Sequence, residues 1–439
     1  MSKITNILNT TNSNFSNQLE KLVNLPQKEN QEIKNTVTRI ISQIKKNGDL
    51  ALLKFTNKFD RLSIKNPKLL EIPKSKLKKA ERQIPRELYI ALNTARNRLQ
   101  QYHLHQKYQG FSYQEGKGTL SYRIQPLTRV ALYVPGGKAS YPSSLLMNTI
   151  PAKIAGVKEL IILNPTPNGE INPVVLACAS LVKVDRFFTI GGAQAVAAVA
   201  FGTRSIPQCD KIVGPGNAYV VEAKRQLFGK IGIDMLAGPS ELIIINDGSG
   251  NPDWIAADLL AQAEHDENAQ SILLTTDQNI IDQVEISIRN FLPKFPRSKI
   301  INRSLKNRGA LILVKNLTQA ISIANQIAPE HLAIATDFRK NPPNKIARQI
   351  KYAGAIFLGH HSCEVLGDYC AGTNHILPTS GSARFSSPLS VHDFYKATSI
   401  LNLDIPTVNK IAGTAEILAE SEGLQAHALA ANLRKKLSS

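Results

Sequence analysis

The hydrophobic positions along the chain follow two different patterns, which change near residue 129. Between residues 30 and 108 they recur at helical spacing, as in Ile33, Val37, Ile40 and Ile44, with basic residues between them. Beyond residue 129, short runs rich in β-branched residues alternate with longer helical segments. Strands separated by helices of this length are typical of βαβ units, so the pattern predicts an α/β fold with mainly parallel sheets.

The alternation predicts two series of elements and a helical end. Residues 1–25 are polar and indicate a tail or a short helical arm. The first series contains strands at Val130–Val134, Leu160–Leu163, Arg186–Ile190 and Lys211–Val213, with helices at Ser143–Ala155, Pro173–Leu181, Ala193–Phe201 and Ala218–Leu227. The second contains strands at Leu242–Ile245, Ser271–Thr275, Ala310–Val314 and Leu332–Thr336, with helices at Pro252–Glu264, Ile280–Leu292 and Leu317–Ile327. Two final helices are expected at Thr407–Glu420 and Glu422–Lys435.

Charge is the unusual feature of the composition. The 439 residues include 53 Lys and Arg against 34 Asp and Glu, a net charge of +19. Residues 1–110 hold 21 basic and 8 acidic residues, so most of the excess lies there. This region lacks the aromatic interleaving of single-strand binders, and we find no zinc-finger or RNP-like pattern. A solvated basic surface explains the charge better than nucleic-acid binding does.

The sequence also predicts a cellular compartment. No apolar run approaches the ~18 residues that a membrane helix needs, and the N-terminal residues lack the apolar region of a secretion signal. Four cysteines, at positions 178, 209, 363 and 370, form no disulfide framework and suit a reducing compartment. We therefore expect a cytoplasmic protein without disulfides or membrane contact.

Glycine-rich turns follow several predicted strands. They are YVPGG (Tyr133–Gly137), IGGAQ (Ile190–Gln194), VGPGN (Val213–Asn217) and AGPSE (Ala237–Glu241). Glycine allows close approach of the backbone to a ligand, and a following helix N-terminus favours anions. None of them is the G-x-G-x-x-G fingerprint, so each is compatible with a plain tight turn or with part of a nucleotide site.

Three segments carry candidate metal ligands or acid and base groups. Gln262 and His265, three residues apart in LLAQAEHDE, can project from one helical face, although the segment also suits a polar helix end. Glu330 and His331 in APEH form an acid–base pair or a solvent-facing loop pair. Residues 359–381 hold several hard and soft donors, enough for a zinc site.

Eight motifs, in order, resemble those of the histidinol dehydrogenase family. They are YVPGG, GGAQA, GPGNAYV, DMxAGPSE, LLAQAEHD, APEHLAI, LGDYxAGTNHxLPT and EGLxAH, within about residues 125–435. The resemblance implies an NAD-linked enzyme with one zinc ion per subunit, which oxidises L-histidinol to L-histidine in two hydride transfers through a bound aldehyde. This reaction belongs to the last steps of histidine biosynthesis.

Site residues follow from the resemblance motif by motif. The implied zinc ligands are Gln262, His265, Asp368 and His427, and the implied catalytic pair is Glu330 and His331. Substrate contacts would come from Ser240, His375 and Glu422, together with the four zinc ligands and His331. Tyr133, Gln194 and Asn217 would line the NAD site. We expect His331 to act as general base and Glu330 to activate the water that attacks the aldehyde, whereas the cysteines have no required part.

The resemblance also implies a domain organisation and a homodimer with shared active sites. We expect an N-terminal arm (1–27), an α/β domain with the metal and catalytic residues (28–130 and 240–388), an α/β NAD-binding domain (131–239) and a C-terminal helical unit (389–439). Both α/β domains are expected to be Rossmann-like, without the glycine fingerprint. Glu422 and His427 of the C-terminal unit would complete the active site of the partner.

Two departures from the family and two rival functions remain. Leu236 stands where the family usually has proline, and KATS (Lys396–Ser399) replaces KRTS.

One rival is a paralogue that oxidises another small polyol, and the other is a nucleic-acid-binding protein that uses the basic N-terminal region. Retention of Glu330, His331, His375, Glu422 and His427 favours histidinol over another polyol, whereas nucleic-acid binding would require affinity for DNA or RNA with a steep salt dependence.

Overall fold

The computed structural model describes residues 4–23, 31–136 and 141–435. Parts of three sequence predictions lie outside these ranges: both ends of the 1–27 arm, Gly137 of YVPGG, and the last four residues of the C-terminal unit. Among the described residues, no helix is long and apolar enough to cross a membrane.

Strands and helices alternate along most of the described chain. The strands are β1 (Asn6–Asn9), β2 (Gly110–Glu115), β3 (Gly118–Pro126), β4 (Arg129–Tyr133), β5 (Glu159–Leu163), β6 (Arg186–Phe188), β7 (Lys211–Val213), β8 (Gly232–Ile233), β9 (Glu241–Asn246), β10 (Gln270–Thr275), β11 (Ala310–Leu313), β12 (His331–Ala335), β13 (Ala355–Leu358) and β14 (Tyr395–Asn402). The α-helices are α1 (Phe15–Val23), α2 (Gln31–Asn47), α3 (Asp49–Asp60), α4 (Lys74–Glu81), α5 (Arg86–Leu104), α6 (Pro142–Ala155), α7 (Pro173–Leu181), α8 (Gly192–Phe201), α9 (Ala218–Leu227), α10 (Pro252–Ala263), α11 (Gln278–Phe291), α12 (Ser298–Arg308), α13 (Leu317–Ile327), α14 (Pro343–Ala347), α15 (Glu364–Tyr369), α16 (Ile405–Ser421) and α17 (Gln425–Asn432).

Two parallel sheets form the framework, as predicted. The larger has the order β1-β11-β10-β9-β12-β13, and the smaller has the order β6-β5-β4-β7-β8. Strands β9 and β10 are buried along their whole length, which explains their continuous runs of leucine and isoleucine. The predicted elements of both series are confirmed, with ends that shift by up to two residues.

A third sheet was not predicted from the sequence. Strands β14, β3 and β2 form an antiparallel sheet, and the last helices, α16 and α17, follow it and pack against each other. The predicted C-terminal helical unit is therefore built together with strands from residues 110–126. The polar N-terminal segment is also ordered where it is described, because β1 pairs with β11 at the edge of the larger sheet.

The packing of residues 31–104 differs from the predicted grouping of 28–130 with 240–388. Helix α2 packs on α8 and α9, α4 packs on α7, and α5 packs on α6, all of which cover the smaller sheet. The apolar face of α2, with Val37, Ile40 and Ile44, shares a core with the alanine-rich helix α8. The helical pattern correctly indicates a buried face, but nothing local in it specifies which sheet receives that face.

The functional residues lie where the two parallel sheets approach each other. The smaller sheet presents the carboxyl ends of its strands there, and its order reverses between β4 and β7, the usual position of a ligand crevice. The larger sheet presents the amino ends of β9 and β12 to the same space, since Ser240 and Glu330 directly precede those strands.

Candidate active site

A cavity of about 950 Å³ lies between the two parallel sheets. Its volume is in the range of small-molecule and cofactor sites. Eight of the residues implied by the motifs line it: Asn217, Ser240, Gln262, His265, Glu330, His331, Asp368 and His375. Segments that are far apart in the sequence therefore meet in one place.

Glu330 and His331 are both buried at the start of β12. Adjacent residues of a regular strand point to opposite faces, so both side chains can reach one site only if the backbone is irregular here. Ala328, two residues before Glu330, has a φ of 56°, in the left-handed region at the end of α13. This turn ends the helix so that both Glu330 and His331 line the cavity.

The main chain of Glu241 fixes both members of this pair. Its N–H donates to Oε2 of Glu330 at 2.9 Å, and its carbonyl oxygen lies 3.2 Å from Nδ1 of His331. Because a carbonyl only accepts, Nδ1 carries the hydrogen and Nε2 is directed toward Asp368, whose Oδ1 is 3.5 Å away. No motif singled out Glu241 in this role, since a main-chain contact leaves no sequence signal.

Carboxylates surround His331 on several sides. Oε1 of the buried Glu364 lies 3.6 Å from Nδ1, and Oε2 of Glu330 lies 3.8 Å from the same nitrogen. Burial would lower the pKa of His331, but the facing carboxylates of Glu364, Glu330 and Asp368 raise it to about 10. For the two glutamates burial acts in the opposite direction, because it disfavours the charged carboxylate. It raises the pKa of Glu330 to about 7 and that of Glu364 to about 8.

Glu364 belongs to the donor-rich stretch of residues 359–381, but the resemblance gave it no role in the site. It lies four residues before Asp368 on α15, so the two carboxylates share one helical face. That spacing was available as a signal. Within the described ranges, His331, Glu364 and Asp368 offer ligand atoms that all lie within 4.8 Å of one another, which makes them a candidate metal-binding cluster.

Gln262 fits a role as a metal ligand. Its side chain is fully buried on the last turn of α10, and no described residue hydrogen-bonds to its amide nitrogen or oxygen. Burial of an unpaired amide costs free energy, so this arrangement favours a ligand in the cavity. His265, exposed to the cavity, and Asp368 add a nitrogen and an oxygen donor, a set that zinc accepts. The motif-implied set and the acidic cluster share Asp368.

His375 is held by two hydrogen bonds. Its Nδ1 lies 2.8 Å from the main-chain oxygen of Asp368, and its Nε2 lies 3.1 Å from the hydroxyl of Ser144 on α6. The carbonyl must accept from Nδ1, so Ser144 donates to Nε2. Burial lowers the pKa of His375, which favours this neutral form. Ser144, which the sequence analysis missed, also lines the cavity and connects the two α/β halves.

Of the three residues implied for the NAD site, one lines the cavity that the described residues form. Asn217 lines the cavity and caps α9, because its side-chain oxygen accepts from the amides of Tyr219 and Val220. Tyr133 and Gln194 are buried and are not among the described residues that line the cavity. The Tyr133 hydroxyl accepts from the amide of Gly192 at 3.0 Å, so it supports the glycine turn that begins α8.

Glu422 and His427 lie outside this cavity. Glu422 ends α16 and His427 lies on α17, and both are exposed. Their predicted place in the site of a partner stays a prediction, because one chain is described. All four cysteines are free, as predicted, and in the described parts of the chain none lines the cavity.

Comparisons with known proteins agree on one family. A family model described as histidinol dehydrogenase matches residues 23–435. A histidinol dehydrogenase from Dechloromonas aromatica is 53% identical over 428 residues, which cover 97% of this chain and 98% of the relative. One from Aromatoleum aromaticum is 57% identical over 399 residues, covering 91% and 90%. A crystal structure of the enzyme from Elizabethkingia anophelis matches 99% of each chain at a TM-score of 0.91 and 34% identity.

Proposed function

Since the chain belongs to the histidinol dehydrogenase family, we propose that it oxidises L-histidinol to L-histidine in the cytoplasm, with two NAD and one zinc ion per subunit, as the last steps of histidine biosynthesis. The observation that carries the proposal is the meeting of Glu330 and His331 with Gln262, His265 and Asp368 in one cavity. The acid–base pair and the donor set come from different elements, so their proximity is a property of the fold.

Three residues of this chain would hold the zinc ion: Gln262, His265 and Asp368. In the proposed homodimer the partner subunit's His427 adds the fourth ligand, and the partner subunit's Glu422 contacts the substrate. Zinc, when bound, supplies a template that holds the imidazole and amino groups of the substrate. Ser240 and His375 face the same cavity and contribute further substrate contacts.

His331 would accept the proton of the substrate hydroxyl as the hydride leaves. The hydrogen bond from Nδ1 to the Glu241 carbonyl leaves Nε2 as the nitrogen that receives this proton. The ring must be neutral, whereas the surrounding carboxylates raise its pKa to about 10. A cation held by Asp368 and His265 would offset this negative charge and lower the pKa of His331.

Glu330 would activate the water that adds to the bound histidinal. With a pKa that burial raises to about 7, it can take a proton at neutral pH and release it again. The bond from the Glu241 amide to Oε2 holds the carboxylate in place. His331 would pass its first proton to solvent and would then accept the proton released during the second hydride transfer.

The coenzyme end of the cavity would be the crevice between β4 and β7. Pro135, Gly216 and Asn217, which follow those strands, line it there. NAD, when bound, accepts the hydrides. Tyr133 and Gln194 would act indirectly, by supporting the Gly192 turn that begins the neighbouring helix α8. Both side chains lie against this turn.

One assay tests this function. Purified protein is incubated with L-histidinol and excess NAD, and NADH is followed with and without a chelator. We expect two NADH per histidinol, loss of turnover on chelation, and recovery when zinc is restored. A zinc-reconstituted protein that gives no turnover, or that stops at one NADH, would refute the proposal.

A further inference from the structure

The segment of residues 234–240 joins the two parallel sheets. It begins directly after β8 in the smaller sheet and ends at β9 in the larger one. All of its residues except Leu236 line the cavity: Asp234, Met235, Ala237, Gly238, Pro239 and Ser240. At its far end comes Glu241, whose main chain holds the catalytic pair. A movement of this segment would therefore reach both halves of the site.

A buried ion pair fixes the near end of the segment. Nζ of Lys224, on α9, lies 2.6 Å from Oδ1 of Asp234, and the two side chains are only 3% and 1% exposed. Lys224 also donates to the main-chain oxygen of Gly214 at 2.6 Å, and the Gly214 amide donates to Oδ2 of Asp234 at 2.7 Å. The pair therefore holds the Gly214 residue through both its N–H and its carbonyl.

Gly214 is a position where the backbone needs such support. Its φ is 106°, and a Cβ placed there would lie 2.2 Å from the main-chain oxygen of Tyr133. The left-handed conformation brings the β7 turn against the end of β4, at the proposed coenzyme crevice. The next residues, Pro215, Gly216 and Asn217, line the cavity, so the conformation at Gly214 sets the position of this wall.

An ion pair in this place is not explained by packing alone. Two desolvated charges cost free energy that apolar residues of similar size would avoid. The pair instead fixes the orientation of the main chain at Gly214, because charge-assisted hydrogen bonds hold its N–H and its carbonyl. Within the described parts of the chain, the two side chains form hydrogen bonds to each other and to Gly214.

We infer that Lys224 and Asp234 are positioning residues for the coenzyme: they hold the Gly214–Asn217 turn in the shape that receives the dinucleotide. The inference rests on the proposed use of NAD. Because Asp234 and Glu241 are joined by a short segment, the pair also sets the coenzyme wall relative to Glu330 and His331. Loss of the pair should weaken coenzyme binding much more than histidinol binding.

The test compares Lys224→Met and Asp234→Asn with Glu159→Gln in zinc-loaded enzyme. Glu159 pairs with Arg129 at 2.6 Å, in the same sheet but at the amino ends of its strands. We expect the first two variants to raise KM for NAD and the Kd of NADH about tenfold or more, with KM for histidinol within about twofold of wild type. Glu159→Gln should leave all three constants unchanged. NADH binding is followed by nucleotide fluorescence and needs no turnover.

A double variant guards against misfolding. Replacement of both charges by apolar residues, Lys224→Met/Asp234→Leu, leaves no unpaired buried charge, so the double variant should be more stable than either single variant even though the Gly214 amide and carbonyl lose their partners. We expect it to bind NADH as weakly as the single variants. A double variant with wild-type Tm and wild-type affinity for NADH would overturn the inference, as would equal rises in KM for NAD and histidinol. Failure of wild-type protein to oxidise histidinol while it binds NADH would instead count against the proposed function alone.

Discussion

At the scale of single residues, Glu330 offers a direct test of how the two oxidations are divided. Its carboxylate is held by the Glu241 amide at 2.9 Å, and burial raises its pKa to about 7. Glu330→Gln keeps a hydrogen-bond acceptor for that amide but cannot take a proton from water. We expect the yield to fall from two NADH per histidinol toward one, and the oxidation of added histidinal to slow by about 10²-fold or more.

The control for this variant is Glu267→Gln. Glu267 is exposed and pairs with Arg303 on the surface, 2.6 Å away. It should keep both the yield and the rate of wild type. If Glu330→Gln still gave two NADH per histidinol at the wild-type rate with histidinal, another group would have to activate the water.

Asp258 provides a pH-dependent prediction about stability. Burial raises its pKa to about 6, above the unfolded value of 3.8. A carboxyl with a raised native pKa favours the folded state most below pH 4, and this contribution is lost as the pH rises through about 6. Asp258→Asn should therefore stabilise the protein by about 1–2 kcal/mol at pH 8 and by about half as much at pH 5.

Urea unfolding at the two pH values measures this difference. Asp282→Asn, an exposed carboxylate on the neighbouring helix α11, is the matched control and should change stability little at either pH. A gain of equal size at pH 5 and pH 8 would show that the charge of Asp258 is not its cause.

The sequence predicted side-chain chemistry better than contacts. Residues whose motif carries the donor itself, such as Gln262 and Asp368, lie in the cavity as expected. Ser144 was missed because its part depends on a contact with His375 across the two sheets, which no local spacing encodes. Glu241 acts on the pair through its main chain, whose contacts depend on register between strands and not on residue type.

At the scale of elements, hydrophobic periodicity predicted the buried strands and helices but missed the strands at the edges of the sheets. The inner strands and amphipathic helices appear close to their predicted bounds because burial on one or both faces selects their residues. Strand β1 was missed because its four residues, NILN, are half polar and pair only on one side. Strands β2 and β14 are mostly exposed, so their residues show little contrast between the two faces.

The anchoring of helix α1 can be tested through Arg308. This buried arginine, at the end of α12, donates through Nη1 to the carbonyls of Leu22 and Val23 at 2.6 and 3.0 Å. Burial raises the pKa of Glu241 to about 7, and the charge of Arg308 opposes this rise. Arg308→Met would leave the Leu22 and Val23 carbonyls without this donor and would remove a charge that favours the Glu241 carboxylate, so we expect a loss of about 2–4 kcal/mol in the free energy of unfolding.

Lys306→Met is the control, since Lys306 lies on the same turn of α12 and is exposed. It should change stability little. Urea unfolding compares the two variants, and hydrogen exchange shows whether α1 loses protection first. Equal stability of Arg308→Met and Lys306→Met would mean that α1 does not depend on this arginine.

At the scale of the whole molecule, the net charge describes the surface, whereas the connectivity of the chain assembles the cavity. More than half of the +19 lies in residues 31–104, which hold 17 basic and 6 acidic residues. Their helices cover the smaller sheet and keep their basic residues largely on the solvent side. The chain starts in the larger sheet with β1, forms the smaller one, and returns through residues 234–240. This path brings Asn217 and Gln262 into one cavity, and local patterns could not reveal it.

The proposed homodimer with shared sites leads to a prediction about mixed subunits. His265 lines the cavity of its own chain, whereas the exposed His427 lies outside it. If His427 completes the site of a partner, His265→Ala and His427→Ala should each lose zinc and activity as homodimers. A heterodimer of the two would place both lesions in one site and leave the other intact. Random reassociation should therefore recover about a quarter of wild-type activity and zinc content.

The matched control mixes His265→Ala with Asp368→Ala. Both residues line the same cavity within one chain, so every site in that heterodimer keeps one lesion and no recovery is expected. The comparison separates shared sites from simple stabilisation of one variant by the other, because stabilisation would act in both mixtures. Recovery in both mixtures, or in neither, would contradict a zinc site completed by the partner subunit's His427. Full activity of His427→Ala alone would remove this residue from the site altogether.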